Sequence, residues 1–211
     1  HPSVRKRYPA VAKAAAKTAN VQIRNMGTVG GNLCNAAPSA DNAPTLIAMG
    51  AEVDIVGLKG ERRMMLEDFF RGPRLTALEP GEILRSIRVP VPPEGSRASY
   101  QHISARGKVD ISAVCVGAMA VFEGDLCMEV KIALGAVAPK PIRAFETEAL
   151  LRGSTWTKES VAAAGKKAAE ESRPITDVRA SAEYRRSMVD VLTRRALLEV
   201  GRTVRKEVFE R

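Results

Sequence analysis

Three prolines fall within Val89-Pro-Val-Pro-Pro93, and Glu-Gly-Ser96 follows them. This stretch constrains the fold more than any other in the chain. Proline has no N–H to give to a strand ladder, and it pushes the residue before it toward extended backbone. Neither a helix nor an interior strand therefore runs through it. It reads as a linker between one unit at 1–93 and a second at 97–211.

The elements differ on its two sides. Ahead of it, Val11, Ala14 and Ala15 give Pro9–Ala19 a helical spacing, and Val21–Asn35 reads as structured loop. Asp41 and Asn42 offer N-caps for a short helix, Pro44–Met49, that Gly50 can end. Strands follow at Val53–Val56, at Arg62–Leu66 after a tight turn at Lys59–Gly60, and at Ile83–Val89 after Pro80–Gly81. Beyond it come strands at Ser99–Ser104, Ile111–Phe122 and Cys127–Val137, the last two joined at Gly124–Asp125. Helices are expected at Ala144–Leu151, at Lys158–Glu170 capped by Thr157, and at Ala182–Lys206 capped by Ser181. The last carries Met188, Val191, Leu192, Ala196, Val200 and Val204 as its core-facing stripe. The class is α+β, with a three-stranded antiparallel sheet and helices in the second unit.

Composition narrows the function. At 45% hydrophobic and 27% charged, the 211 residues suit a globular protein. The longest apolar run, Ile111–Phe122, is shorter than the roughly 18 residues that span a bilayer, so no transmembrane segment is expected. The net charge of +9 admits nucleic acid, an anionic cofactor or an acidic partner. Aromatic residues make up only 4%, and basic pairs such as Arg62–Arg63 and Arg194–Arg195 are scattered on amphipathic stretches. Both facts argue against nucleic acid. Cys34, Cys115 and Cys127 form no C-x-x-C pair, so no zinc or iron–sulfur ligand set is expected. Free thiols in a reducing cytoplasm are the expectation. The chain starts at His1 without an initiator Met or an apolar leader, as though joined midway through a longer sequence.

Gln22-Ile-Arg-Asn-Met-Gly-Thr-Val-Gly-Gly-Asn-Leu-Cys-Asn35 is the segment that carries chemistry. Gly27, Gly30 and Gly31 permit unusual backbone and close approach to a ligand, while Thr28, Asn32 and Asn35 add short polar side chains. Successive amides in such a turn form an anion nest suited to pyrophosphate. A connecting turn is the plainer reading of the same residues. The segment is neither a G-x-G-x-x-G fingerprint after a strand nor a phosphate loop ending in Gly-Lys-Ser/Thr. Asp41 can accept from a ribose hydroxyl or cap the next helix.

Ile23 to Asp41 resembles the second flavin-binding segment of the FAD subunits of xanthine dehydrogenase and carbon monoxide dehydrogenase. These are the medium subunits of molybdenum hydroxylases, with a PCMH-type FAD-binding fold. Gly81-Glu-Ile-Leu-Arg-Ser-Ile-Arg-Val-Pro90 resembles the strand that closes the FAD domain. Asp110-Ile-Ser-Ala-Val114 resembles the flavin-side loop, and Asp177 to Arg186 the start of the C-terminal helix. The resemblance implies that 1–93 is the second subdomain of the FAD-binding domain and 97–211 the flavoprotein C-terminal domain. It implies FAD phosphates on Thr28, Gly30, Gly31 and Asn32 with Asn35 assisting, and Asp41 at the pyrophosphate–ribose region. Leu84 would lie against one end of FAD, and Ile111 would shield the ring. His102 stands where the family often has lysine, and reads either as a flavin contact or as a strand residue facing solvent.

The resemblance further implies an electron-transfer subunit without a catalytic acid, base or nucleophile of its own. A large subunit would carry the molybdenum cofactor and a small one two [2Fe–2S] clusters, in a dimer of heterotrimers. Electrons would pass through FAD to NAD⁺ or another acceptor. The family's earlier Ala-Gly-Gly-Thr-like subdomain has no match in this chain. A flavin-free assembly subunit of the same complex is the alternative expectation.

Overall fold

The computed structural model describes residues 1–105 and 111–202, Arg202 by its backbone alone. Five helices come first: α1 (Pro2–Arg7), α2 (Pro9–Lys17), α3 (Val21–Met26), α4 (Val29–Cys34) and α5 (Asn42–Ala48). The stretch expected to be loop is thus two six-residue helices. Each is started by a side chain accepting an orphan amide: Asn20 Oδ1 from Ile23 N at 2.8 Å, and Thr28 Oγ1 from Gly31 N at 2.9 Å. Gly30 and Gly31 are helical, and none of this segment's glycines has positive φ. Close approach, rather than left-handed backbone, is what they provide. Asp41 sits at the start of α5 but makes no side-chain cap bond.

Next comes an antiparallel sheet in the order β2-β1-β5, made of β1 (Glu52–Gly57), β2 (Gly60–Met65) and β5 (Ile83–Arg88). Gly60 closes the β1–β2 hairpin at φ +117, a conformation that side-chain-bearing residues resist. Between β2 and β5 lie a short helix, α6 (Leu66–Phe69), and two small strands, β3 (Phe70–Gly72) and β4 (Leu75–Thr76). Buried Asp54 on β1 accepts from Arg63 Nε at 2.8 Å, Arg88 Nε at 2.6 Å and Ser86 Oγ at 2.5 Å, which pins both neighbouring strands.

Glu82 is tied to Arg62 by two bonds of 2.7 and 2.8 Å. This guanidinium and the Glu79 N–H bring its carboxyl from the usual 4.5 down to about 2. A lowered carboxyl pKa stabilises the fold fully above its unfolded value, and the contribution is lost as pH falls through the folded one. Urea midpoints should therefore drop as pH falls from about 4.5 to about 2, and Glu82→Gln should shrink that slope.

The second half builds the larger sheet from β6 (Ser96–Ser104), β7 (Ser112–Glu123), β8 (Leu126–Gly135) and β9 (Ile142–Arg143). All four are antiparallel and in sequence order. The two-residue β9 adds a fourth strand to the three expected. Helices α7 (Phe145–Leu151), α8 (Lys158–Glu171) and α9 (Ala182–Arg202) accompany it. Thr157 and Ser160 form a reciprocal capping box at the start of α8, and Ser181 accepts from Tyr184 N at α9. The buried positions of α9 are Arg185, Val189, Leu192, Thr193, Ala196, Leu197, Val200 and Gly201, with Met188 and Val191 of the expected stripe only half-buried. Val204 and the end expected at Lys206 lie outside the described residues.

Strand β7 is buried on both faces, which explains its unbroken apolar run. Val114, Val116, Ala118 and Ala120 join the core with α8 and α9. On the opposite face, Met119 packs with α5, and Cys115 with Ala10 and Ala14 of α2. Helix α5 comes close enough because Gly117 and Gly135 lack side chains. A Cβ on Gly117 would lie 2.6 Å from the Pro44 carbonyl carbon. The first half's most buried helix is therefore seated on the second half's sheet, and the polar residues near that seam are brought together.

Candidate functional site

Two helix starts and one buried asparagine build the principal groove. Arg24, near the end of α3, donates to Thr18 O at 2.9 Å and Ala19 O at 2.6 Å, which ties α3 back against α2. In α4, Thr28 accepts from the Gly31 amide, while buried Leu33 anchors the other side of the helix. The amides of Val29 and Gly30 belong to the first turn and have no intrahelical acceptor. Leu84 of β5 lies under α4, its Cδ2 3.7 Å from where a Gly30 Cβ would stand.

The resulting groove has a volume of about 610 Å³ and is lined by Thr28, Gly31, Asn32 and Asn35 together with Arg24, Met26 and Asn42. Asn42 is 4% exposed, and its Nδ2 donates to Asn32 Oδ1 at 3.0 Å and Thr18 Oγ1 at 3.3 Å. Its Oδ1 is buried without a hydrogen-bond partner. Met26 and Ile23, 87% and 56% exposed, make one wall apolar.

A second groove, about 760 Å³, meets the first at Arg24 and is lined by Lys17, Asn20, Ile103 and His102 among others. Behind His102 runs a polar chain. Asp41, 6% exposed, accepts on Oδ1 from Tyr100 OH at 2.7 Å and from Ser112 Oγ at 2.6 Å. Ser112 Oγ is also 3.5 Å from His102 Nδ1. The His102 ring stacks on Tyr100, 5.7 Å between centroids and 12° between planes. Burial pushes the Tyr100 phenol far up, so it stays protonated and donates. Burial likewise holds His102 below its ordinary value, with Asp41 opposing and Lys17 and Lys13 reinforcing.

The structure thus gathers Thr28, Gly31, Asn32 and Asn35 on one groove, with Gly30 and Leu84 in contact beside it. It sets His102 on the adjoining groove and buries Asp41 behind. Ile111, 46% exposed, lines a third groove of about 310 Å³ with Pro38, Ser39, Ser112 and Arg185. Asp110, quoted with Ile111 for the flavin-side loop, lies outside the described residues. Sequence reading passed over Arg24, Asn42, Tyr100 and Ser112. Asn42 was read only as a cap; Arg24 and Ser112 lie inside segments the sequence does point to, but what marks them and Tyr100, the bonds to Thr18, Ala19 and Asp41, exists only in the folded chain. Among the described residues no cluster of three or more His, Cys, Asp or Glu is placed to hold a metal, and no helix is long and apolar enough to cross a membrane.

Two family models match. One, described as the FAD binding domain in molybdopterin dehydrogenase, covers residues 1–92, and another, the CO dehydrogenase flavoprotein C-terminal domain, covers residues 98–200. The chain is 34% identical over 191 residues to the carbon monoxide dehydrogenase medium chain of Afipia carboxidovorans, which is 90% of this chain and 66% of that one. It is 33% identical to the glyceraldehyde dehydrogenase medium chain of Sulfolobus acidocaldarius, covering 94% of this chain and 70% of that one. Among solved structures, a carbon monoxide dehydrogenase from Hydrogenophaga pseudoflava that lacks the Mo-pyranopterin moiety of its molybdenum cofactor superposes with a TM-score of 0.91. The identity is 34%, over 95% of this chain and 69% of that one. Quinoline 2-oxidoreductase from Pseudomonas putida 86 gives 0.88 at 30% identity, over 96% and 70%. The chain spans about two thirds of the length of these relatives.

Proposed function

The chain belongs to the family of FAD-binding medium subunits of xanthine/CO dehydrogenase-type molybdenum hydroxylases, and from that premise we propose that it binds FAD and serves as an electron-transfer subunit of such a complex. The observation that carries the reading is the α4 groove, where the first turn of α4, with Thr28 and bare backbone at Gly31, stands beside the amide side chains of Asn32, Asn35 and Asn42. These features suit an anionic, polar ligand.

Thr28, Gly30, Gly31 and Asn32 would hold the pyrophosphate, with Asn35 at the groove's edge and Leu84 packed under Gly30. Asp41 already spends Oδ1 on two hydroxyls, and its other oxygen takes no bond from the described residues. That oxygen would receive a cofactor hydroxyl or amide. His102 and Ile111, on the flanking grooves, would border the ring. FAD bound here would supply the redox chemistry, taking electrons from the [2Fe–2S] clusters of a small subunit, downstream of a molybdenum cofactor in a large one, and passing them to NAD⁺ or another acceptor. The chain's own contribution is to bind, orient and shield. In this reading it works in the cytoplasm as part of a dimer of heterotrimers.

The test is flavin content. The complete gene product, purified with its partner subunits, should release FAD on denaturation at close to one per medium subunit, read by chromatography and fluorescence. A folded, assembled subunit that releases none would replace this reading with that of a flavin-free assembly subunit.

A further inference from the structure

We propose that Ser112, itself oriented by Asp41, is a positioning residue that holds His102 as the tautomer with its hydrogen on Nδ1, leaving Nε2 as a bare acceptor at the groove lined by Lys17 and Arg24. A serine hydroxyl has one hydrogen, and at 2.6 Å from a buried Asp41 oxygen that hydrogen is committed to Asp41. Ser112 Oγ can then only accept from its other neighbour, His102 Nδ1, at 3.5 Å. The contact is long, and it is favourable in one direction alone, with the hydrogen on Nδ1.

The surroundings fix the ring. Tyr100 stacks against its face at 12° and sends its own hydroxyl to the same Asp41 oxygen. His102 stands directly across from Cys115 in the β6–β7 register, on the strand that carries Ser112. Stack and register hold the ring plane beside Ser112, and Nδ1 is the nitrogen that faces its hydroxyl. Nε2 makes no bond to any described residue, and His102 lines the groove. In water the neutral side chain prefers its hydrogen on Nε2, so the site reverses the ordinary tautomer.

The chemistry follows from the free lone pair. A lysine here would donate a hydrogen bond and bring charge; His102 so held accepts one and brings none. It takes an N–H or O–H donor from the groove's occupant. The occupant's name rests on the flavin reading, in which the donor belongs to FAD, while the tautomer stands without it.

The test reads the complete gene product by long-range ¹H–¹⁵N correlation of the ring nitrogens in mildly alkaline buffer, where the signal lost in His102→Gln is assigned to His102. His102 should show a protonated Nδ1 and an unprotonated Nε2. Ser112→Ala should return the hydrogen to Nε2, and Ser112→Thr, which keeps the hydroxyl, should not. Should Ser112→Ala fail to fold, Ser112→Cys, close in size and a feeble acceptor, makes the same comparison. Hydrogen on Nε2 in the wild type, or an unchanged tautomer in a folded Ser112→Ala or Ser112→Cys, overturns the proposal. Flavin content does not enter this readout, so the proposal and the flavin reading fail separately.

Discussion

Gly31→Val is expected to strip the protein of FAD and leave it folded. A single Cβ on Gly31 would already stand 3.1 Å from Thr28 Oγ1, the atom that accepts Gly31's own amide. Valine adds two methyl groups on an exposed surface of α4 that lines the groove. Two effects combine. Displacing the Thr28 hydroxyl weakens a cap worth about 0.5–2 kcal/mol. In the proposed reading the branched side chain also covers backbone that a phosphate would reach. Retained FAD should fall at least about tenfold, which corresponds to roughly 1.4 kcal/mol of lost binding. The fold should survive, because Leu33 is the only residue α4 buries. Gly31→Ala, with one methyl, should fall between the two. Flavin released per chain, alongside far-UV circular dichroism, checks both halves. Normal flavin in a folded Gly31→Val protein would remove the pyrophosphate from α4.

Gly117→Ala should cost stability rather than cofactor affinity. Its Cβ would come within 2.6 and 2.7 Å of the Pro44 carbonyl carbon and oxygen and 2.7 Å of Thr45 Cα. All three are backbone atoms of α5, whose residues are buried throughout, so no flexible side chain can yield. Overpacking of this kind costs about 1–3 kcal/mol. In a chain of this size that lowers the melting temperature by roughly 2–12 °C. Gly117→Val should not accumulate as folded protein. An unchanged melting temperature in Gly117→Ala would show that α5 is not seated on β7 as described.

Where a local preference repeats, the sequence announces the fold. The prolines from Pro90 to Pro93 separate β5 from β6, Gly60 marks a hairpin, and Thr157 starts α8. Helices α3 and α4 stayed hidden because six residues are under two turns, too short for a helical period to show. Their glycines also pointed toward loop. Caps at Asn20 and Thr28 were the available signal, and each needs a folded first turn before it identifies itself. In α9 the apolar stripe was legible but its register was not. Val191 and Leu192 are adjacent, and only the packing of α8 and β7 decides that Leu192 turns inward.

The candidate site divides the same way. Thr28, Gly31, Asn32 and Asn35 stand within eight residues of one another, so their convergence on one groove follows from local backbone, and a family resemblance could be read there. Asp41 meets Tyr100 59 residues away and Ser112 71 residues away. No near-neighbour preference encodes those meetings. They exist because β6 and β7 pair in one register and because Gly117 lets α5 press against that sheet. Short-range steric and hydrogen-bond preferences act within a few residues and are written in the sequence order. Long-range contacts follow from which buried surfaces fit, and that is a property of the packed molecule alone.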